Sequence, residues 1–119
     1  MFRKLFNRRK HPRFVAEQNA FLVFFQPYSN NAKKMQIIDI SEGGCGFIYH
    51  GDEKDLDKIS VADLMSDNVP HLEQIKIAVV NDQPAEGPFR RRGVAFKWLG
   101  SLDRKKLKEF IEKISICKR

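Results

Sequence analysis

Apolar positions recur along this chain in two different periods. From Phe14 to Phe25 phenylalanine and valine dominate, and the run predicts one long strand. Pro27, Ser29, Asn30 and Asn31 break it. Met35 to Ile40 predicts a second strand, Glu42, Gly43 and Gly44 a tight turn, and Cys45 to His50 a third strand. Ile75, Ile77 and Val79 alternate with Lys76 and Ala78, the period of a half-buried strand. Asn81 to Pro88 carries Pro84, Gly87 and Pro88 and predicts a turn; Val94, Phe96 and Trp98 alternate again in the strand beyond it. Residues 51–72 show no clean period and read as irregular, with a short helix around Val61 to Met65.

The period changes near the C-terminus. Leu107, Phe110, Ile111 and Ile114 follow i, i+3, i+4, i+7, one face of a helix over about residues 101–116. Ser101 is the expected N-cap, and Asp103 suits the positive end of the helix dipole. Lys105 and Lys106 are expected to face solvent. Five or more antiparallel strands followed by one amphipathic helix define a mainly β fold. A small barrel with the helix packed on it is the economical arrangement, because closure protects strand edges.

Composition narrows the picture. The 119 residues suffice for one domain, and 42% apolar residues suffice for a packed core. The longest unbroken apolar run, Ala20 to Phe25, is far short of the roughly 20 residues of a membrane-spanning helix. The basic N-terminus is not followed by an apolar stretch of secretory length. Cys45 and Cys117 are far apart and form no C-x-x-C pair, so a reduced, cytoplasmic setting is expected.

Charge is unevenly placed. Arg3, Lys4, Arg8, Arg9, Lys10 and Arg13 crowd the first 13 residues without an acid, and these residues read as a basic arm preceding the folded body at 14–119. Residues 39–86 carry eleven acids against Lys54, Lys58 and Lys76, and residues 87–119 carry eleven bases against three acids. Two basic ends suggest an anionic partner: a nucleotide, a nucleic acid or a membrane surface.

Catalytic constellations do not emerge. His11, His50 and His71 are not at metal-ligand spacing with one another or with the cysteines. Ser41 is not in a G-x-S-x-G elbow, and Cys45 sits in an apolar strand that suits a buried structural thiol. The chain is expected to be a binding protein rather than an enzyme.

Two segments carry binding chemistry. Arg8-Arg9-Lys10-His11-Pro12-Arg13 contains an R-x-x-x-R pair, Arg9 and Arg13, and Asp39-Ile40-Ser41-Glu42-Gly43-Gly44 reads D-x-S-x-x-G. Room for a strand, a turn and most of a second strand lies between them, so pairing would bring both to one end of a barrel. An arginine fork chelates phosphate or the O6/N7 edge of guanine and also stacks on a base. A carboxylate such as Asp39 accepts from the N–H donors of guanine, with the Ser41 hydroxyl beside it. Gly43 and Gly44 permit positive φ and close backbone approach, exposing N–H groups to the ligand. The set suits a ligand that combines guanines with phosphates. Each motif alone is ordinary: arginine pairs are common in a chain with 22 basic residues, and D-x-S-x-x-G is a frequent turn. Their combination, order and spacing are far more specific.

On those residues, the sequence resembles the PilZ family of bacterial cyclic di-GMP receptors. The resemblance rests on Arg9-Lys10-His11-Pro12-Arg13-Phe14 and Asp39-Ile40-Ser41-Glu42-Gly43-Gly44-Cys45-Gly46-Phe47, and extends to Arg92-Gly93-Val94-Ala95-Phe96 and the helix after it. It implies a six-stranded antiparallel β-barrel with a C-terminal helix that binds cyclic di-GMP, with no cofactor and no metal. Arg9 and Arg13 would contact guanine and phosphate, Asp39 and Ser41 would hold a guanine edge, and Gly43 and Gly44 would shape the turn. Arg8, directly before the motif, would accompany binding of a ligand pair. The arm would order over the barrel on binding and change the surface shown to a protein effector, in a process such as motility or biofilm formation. The chain would act as a stand-alone adaptor or through a homodimer.

Two other readings compete: a nucleic-acid-binding barrel, for which Arg90, Arg91 and Arg92 would form a phosphate patch, and a PilZ-like module that binds only protein. Phe2, Leu5 and Phe6 beside Arg3 and Lys4 resemble a short basic membrane anchor, but six residues do not hold a helix alone, and packing of Phe2 or Phe6 on protein is favoured.

Overall fold

The computed structural model describes residues 12–25, 32–52, 60–67 and 69–118. Among the described residues, eight strands and one helix follow in the order β1 (Phe14–Ala16), β2 (Ala20–Phe25), β3 (Ala32–Ser41), β4 (Gly44–His50), β5 (Val61–Ser66), β6 (Val69–Pro84), β7 (Phe89–Lys97), α1 (Ser101–Ile114) and β8 (Ser115–Lys118). All pairings are antiparallel, in the sheet order β2-β5-β6-β7-β4-β3-β1-β8. A further pairing of β2 with β3 closes β2-β5-β6-β7-β4-β3 into a six-stranded barrel, the expected architecture. The short strands β1 and β8 extend it at one edge.

Closure depends on the ten residues of β3. Its first half pairs with β2 (Phe21 opposite Gln36) and its end with β1 (Phe14 opposite Ile40). Both partners therefore run along the same edge of β3, which is why Phe14–Phe25 reads as one strand. The register shifts by three residues between them, and the polar Glu17, Gln18 and Asn19 are looped out. At that break the Glu17 N–H donates to the Ile114 carbonyl at 2.8 Å, tying the loop to the end of α1.

The barrel core includes Leu22, Phe24, Ile37, Ile40, Phe47, Leu64 and Val94, all at most 3% exposed, with Phe24 and Phe47 in edge-to-face contact at 5.6 Å between centroids. Leu107, Phe110, Ile111 and Ile114 are all buried, so the helical stripe read from sequence is the face α1 lays on the barrel. Gly100, not Ser101, is the N-cap, and among the described residues no side-chain hydrogen bond caps that end of the helix. The helix ends at Ile114 rather than near 116, because Ser115 turns extended and starts β8 against β1.

The acidic middle differs most from expectation. Val61 to Met65 is not helical: it belongs to β5, inserted between β2 and β6. Its apolar residues lack a clean period because a bulge against β6 shifts the register around Asp63, whose carboxylate accepts the Gln74 N–H at 2.8 Å. The turn expected over Asn81–Pro88 is shorter. Strand β6 continues to Pro84, and the chain reverses over residues 85–88, where Gly87 adopts φ 60°. Among the described residues, no helix is long and apolar enough to cross a membrane.

Candidate ligand-binding site

The two motifs meet. Asp39 lies near the end of β3, and a bulge decides where it points. Ile37 pairs with Phe47 but Asp39 pairs with Gly46, so Ile38 is an extra residue on β3. Simple alternation would put Ile37 and Ile40 on opposite faces. The bulge lets both reach the core at 0% exposure and sends Asp39 and Ser41 to the other face.

There Asp39 is completely buried between two arginines. Arg13, just before β1, donates from Nη1 to Oδ1 at 3.2 Å, and Arg91 on β7 donates from Nη2 to Oδ2. Space for this pairing comes from Gly46 on β4, between β3 and β7. A Cβ at Gly46 would lie 2.7 Å from Nη2 of Arg91 and 2.9 Å from Oδ1 of Asp39.

Ser41 organises the turn that follows. Its Oγ accepts the Gly43 N–H at 3.1 Å, and the hydroxyl lies 3.5 Å from the Gly44 carbonyl. Positive φ is not what the glycines provide, since among described glycines only Gly87 has it. Gly44 is required by proximity: a Cβ there would sit 2.0 Å from the Val94 carbonyl oxygen. The Gly43 carbonyl accepts the Phe96 N–H at 2.9 Å, so β7 holds the turn from the far side.

Arg13, Asp39, Ser41, Gly43 and Gly44 are therefore brought to one end of the barrel, as expected. Arg8 and Arg9 lie outside the described residues. Arg91, which touches Asp39, is the residue that the sequence motifs do not include. Strand alternation separates the arginine run: Arg91 turns to Asp39, while Arg90 and Arg92 turn to Asp82 on β6, with Nε donors at 2.6 Å and 2.8 Å. Tyr49 also donates to Asp82, and the Arg92 guanidinium lies 4.8 Å from the Tyr49 ring centroid. Burial pushes the Asp82 carboxyl up, but the hydrogen bonds from Tyr49, Arg90 and Arg92 outweigh it and hold it at about 2. All three arginines of the run, considered as a phosphate patch only under the nucleic-acid reading, are engaged with carboxylates of the barrel. A period-two reading of Arg90, Arg91 and Arg92 would have split them between faces.

Cys45 is 1% exposed, and burial pushes its thiol up to about 12 despite the nearby Arg13 and Arg91, so it is not a poised nucleophile. Among the described residues, no three His, Cys, Asp or Glu side chains gather to hold a metal.

The sequence matches the PilZ domain family over residues 7–113, and the chain belongs to that family. No curated protein matches it. Solved structures share the fold. The K. pneumonia MrkH–c-di-GMP complex aligns at TM-score 0.68 with 22% identity, covering 90% of this chain and 52% of that one. The PilZ domain of Escherichia coli YcgR with c-di-GMP aligns at TM-score 0.68 with 13% identity, covering 91% and 92%. The Bacillus subtilis inhibitor of motility (MotI/DgrA) aligns at TM-score 0.55 with 16% identity, covering 90% and 50%. The chain thus spans about half the length of MrkH and nearly all of the isolated YcgR domain.

Proposed function

We propose that this chain is a receptor for cyclic di-GMP. The carrying observation is that Arg13, the last residue of R-x-x-x-R, sits 3.2 Å from Asp39, the first of D-x-S-x-x-G, on the barrel of a PilZ family member. MrkH and the YcgR domain, which share the fold, are described as c-di-GMP complexes, and this supports the reading.

Arg8, Arg9 and Arg13 supply forks for guanine and phosphate, Asp39 takes a guanine edge, and Ser41 with Gly43 and Gly44 fixes the turn beneath it. Because Asp39 is wholly enclosed, ligand entry exchanges the Arg13–Asp39 pair for Arg13–ligand contacts, while Arg91 keeps the carboxylate in place. Differential contacts of this kind drive an arm from one arrangement to another. The rearranged arm alters the surface offered to a protein effector.

Isothermal titration with cyclic di-GMP, with GTP and GMP as controls, tests this. Saturable binding selective for the cyclic dinucleotide is expected, at two ligands per chain if Arg8 supports a ligand pair. Absence of heat together with an unchanged melting temperature would overturn the reading.

A further inference from the structure

We propose that the corner formed by Trp98, Lys76 and Lys97 is a docking site for an acidic peptide segment of a partner protein, one that inserts an apolar side chain. Alternation with Val94 and Phe96 would have turned Trp98 inward. Instead β7 ends at Lys97, Trp98 takes φ 53°, and its side chain is 82% exposed. A bulky aromatic residue in the left-handed region is strained, and such strain concentrates at functional positions. Burial does not explain this conformation, since the residue is on the surface.

A cation stands over the indole. Lys76 Nζ lies 5.0 Å from the ring centroid, and Lys76 and Lys97 are directly paired across β6 and β7. Beside them opens a cavity of about 450 Å³ with apolar walls from Val61, Ile77 and Ala78. No carboxylate is among the described residues that line it. Two cations at an apolar recess next to an exposed indole complement a peptide in which Asp or Glu flanks a Leu or Phe anchor. Single-stranded nucleic acid would also meet lysine and an aromatic ring, but it needs successive stacking platforms along a basic groove. Here one ring stands over an apolar recess, and that favours the peptide. The site does not depend on nucleotide binding. It lies two residues beyond the Phe96 N–H that holds the Gly43 carbonyl, so β7 joins it to the candidate ligand site.

Trp98 is the only tryptophan in the chain, so its fluorescence reports on this corner alone. A displayed library of 12-residue peptides would be selected on the full chain and counter-selected on Trp98→Ala. Enrichment of Asp and Glu around one apolar anchor is expected. The synthesised winner should shift Trp98 emission saturably, and a version with Lys in place of each acid should not. Lys76→Glu with Lys97→Glu should weaken the winner at least tenfold while leaving the thermal midpoint and cyclic di-GMP titration as in the parent chain. Failure to enrich acidic peptides, equal binding after charge reversal, stronger binding of a dT12 oligonucleotide, or Trp98-dependent self-association in sedimentation would each overturn the proposal.

Discussion

Arg91 on β7 donates to the carboxylate of Asp39 on β3, reaching across the strand between them through the gap left by Gly46. The D-x-S-x-x-G motif therefore depends on a residue 52 positions further along the chain. With Arg13 on its other oxygen, the Asp39 carboxylate is held from both sides although it has no solvent contact.

Arg91→Gln should loosen that carboxylate. The expected cost is about 1–3 kcal/mol of stability, from the lost charge-assisted bond. Cyclic di-GMP affinity should fall at least tenfold. Urea unfolding and calorimetric titration of the same preparation separate the two effects. Unchanged affinity would show that Arg91 only braces the barrel.

Arg13→Ala and Asp39→Ala should both abolish ligand binding while the barrel stays folded. Arg13→Ala takes a charge-assisted donor from the buried Asp39 carboxylate and should cost about 1–3 kcal/mol, as Arg91→Gln does, since the two arginines are about equally exposed. Asp39→Ala removes the buried partner of Arg91 and should lower stability by about 3–5 kcal/mol. Circular dichroism melts with titration of each variant check this, and normal binding by either would displace the site.

Gly44→Ala should be strongly destabilising, by about 3 kcal/mol, because the new methyl meets the Val94 carbonyl and a β4–β7 backbone contact must open. Gly46→Ala should instead act on the ion pair, weakening ligand binding more than it lowers the melting temperature. The contrast between the two variants is the readout.

Asp82 gives the barrel an acid dependence. Its carboxyl is held at about 2, below the ordinary 3.8, so its contribution is complete above 3.8 and is lost as pH falls toward 2. The span corresponds to about 2 kcal/mol. Urea midpoints between pH 5 and pH 2 should therefore drop less steeply in Asp82→Asn, which starts from lower stability because it removes the carboxylate shared by Tyr49, Arg90 and Arg92.

His71 acts at milder pH. Burial, then the Lys113 ammonium, lowers its pKa below 6.5, against an opposing pull from Asp67. The unfolded chain binds the proton more readily, so His71 makes stability rise with pH up to about 6.5 and fall below it. Lys113→Met should bring the imidazole pKa back toward 6.5 in an NMR titration and flatten that slope.

The sequence by itself determined the β-rich body, the terminal helix with its Leu107, Phe110, Ile111 and Ile114 face, and the pairing of motifs that marks the family. These are local patterns: a period, a turn chemistry, a spacing. Tertiary structure decided the rest. A bulge at Ile38 sets where Asp39 points, and nothing in Met35–Ile40 announces it, because bulges arise from the partner strand's register. Barrel closure recruits Val61–Ser66 as a strand despite its broken period. Long-range pairing divides Arg90, Arg91 and Arg92 between Asp82 and Asp39, and a left-handed turn after Lys97 sends Trp98 to the surface. Each outcome rests on contacts between segments far apart in the chain, which a local window does not contain.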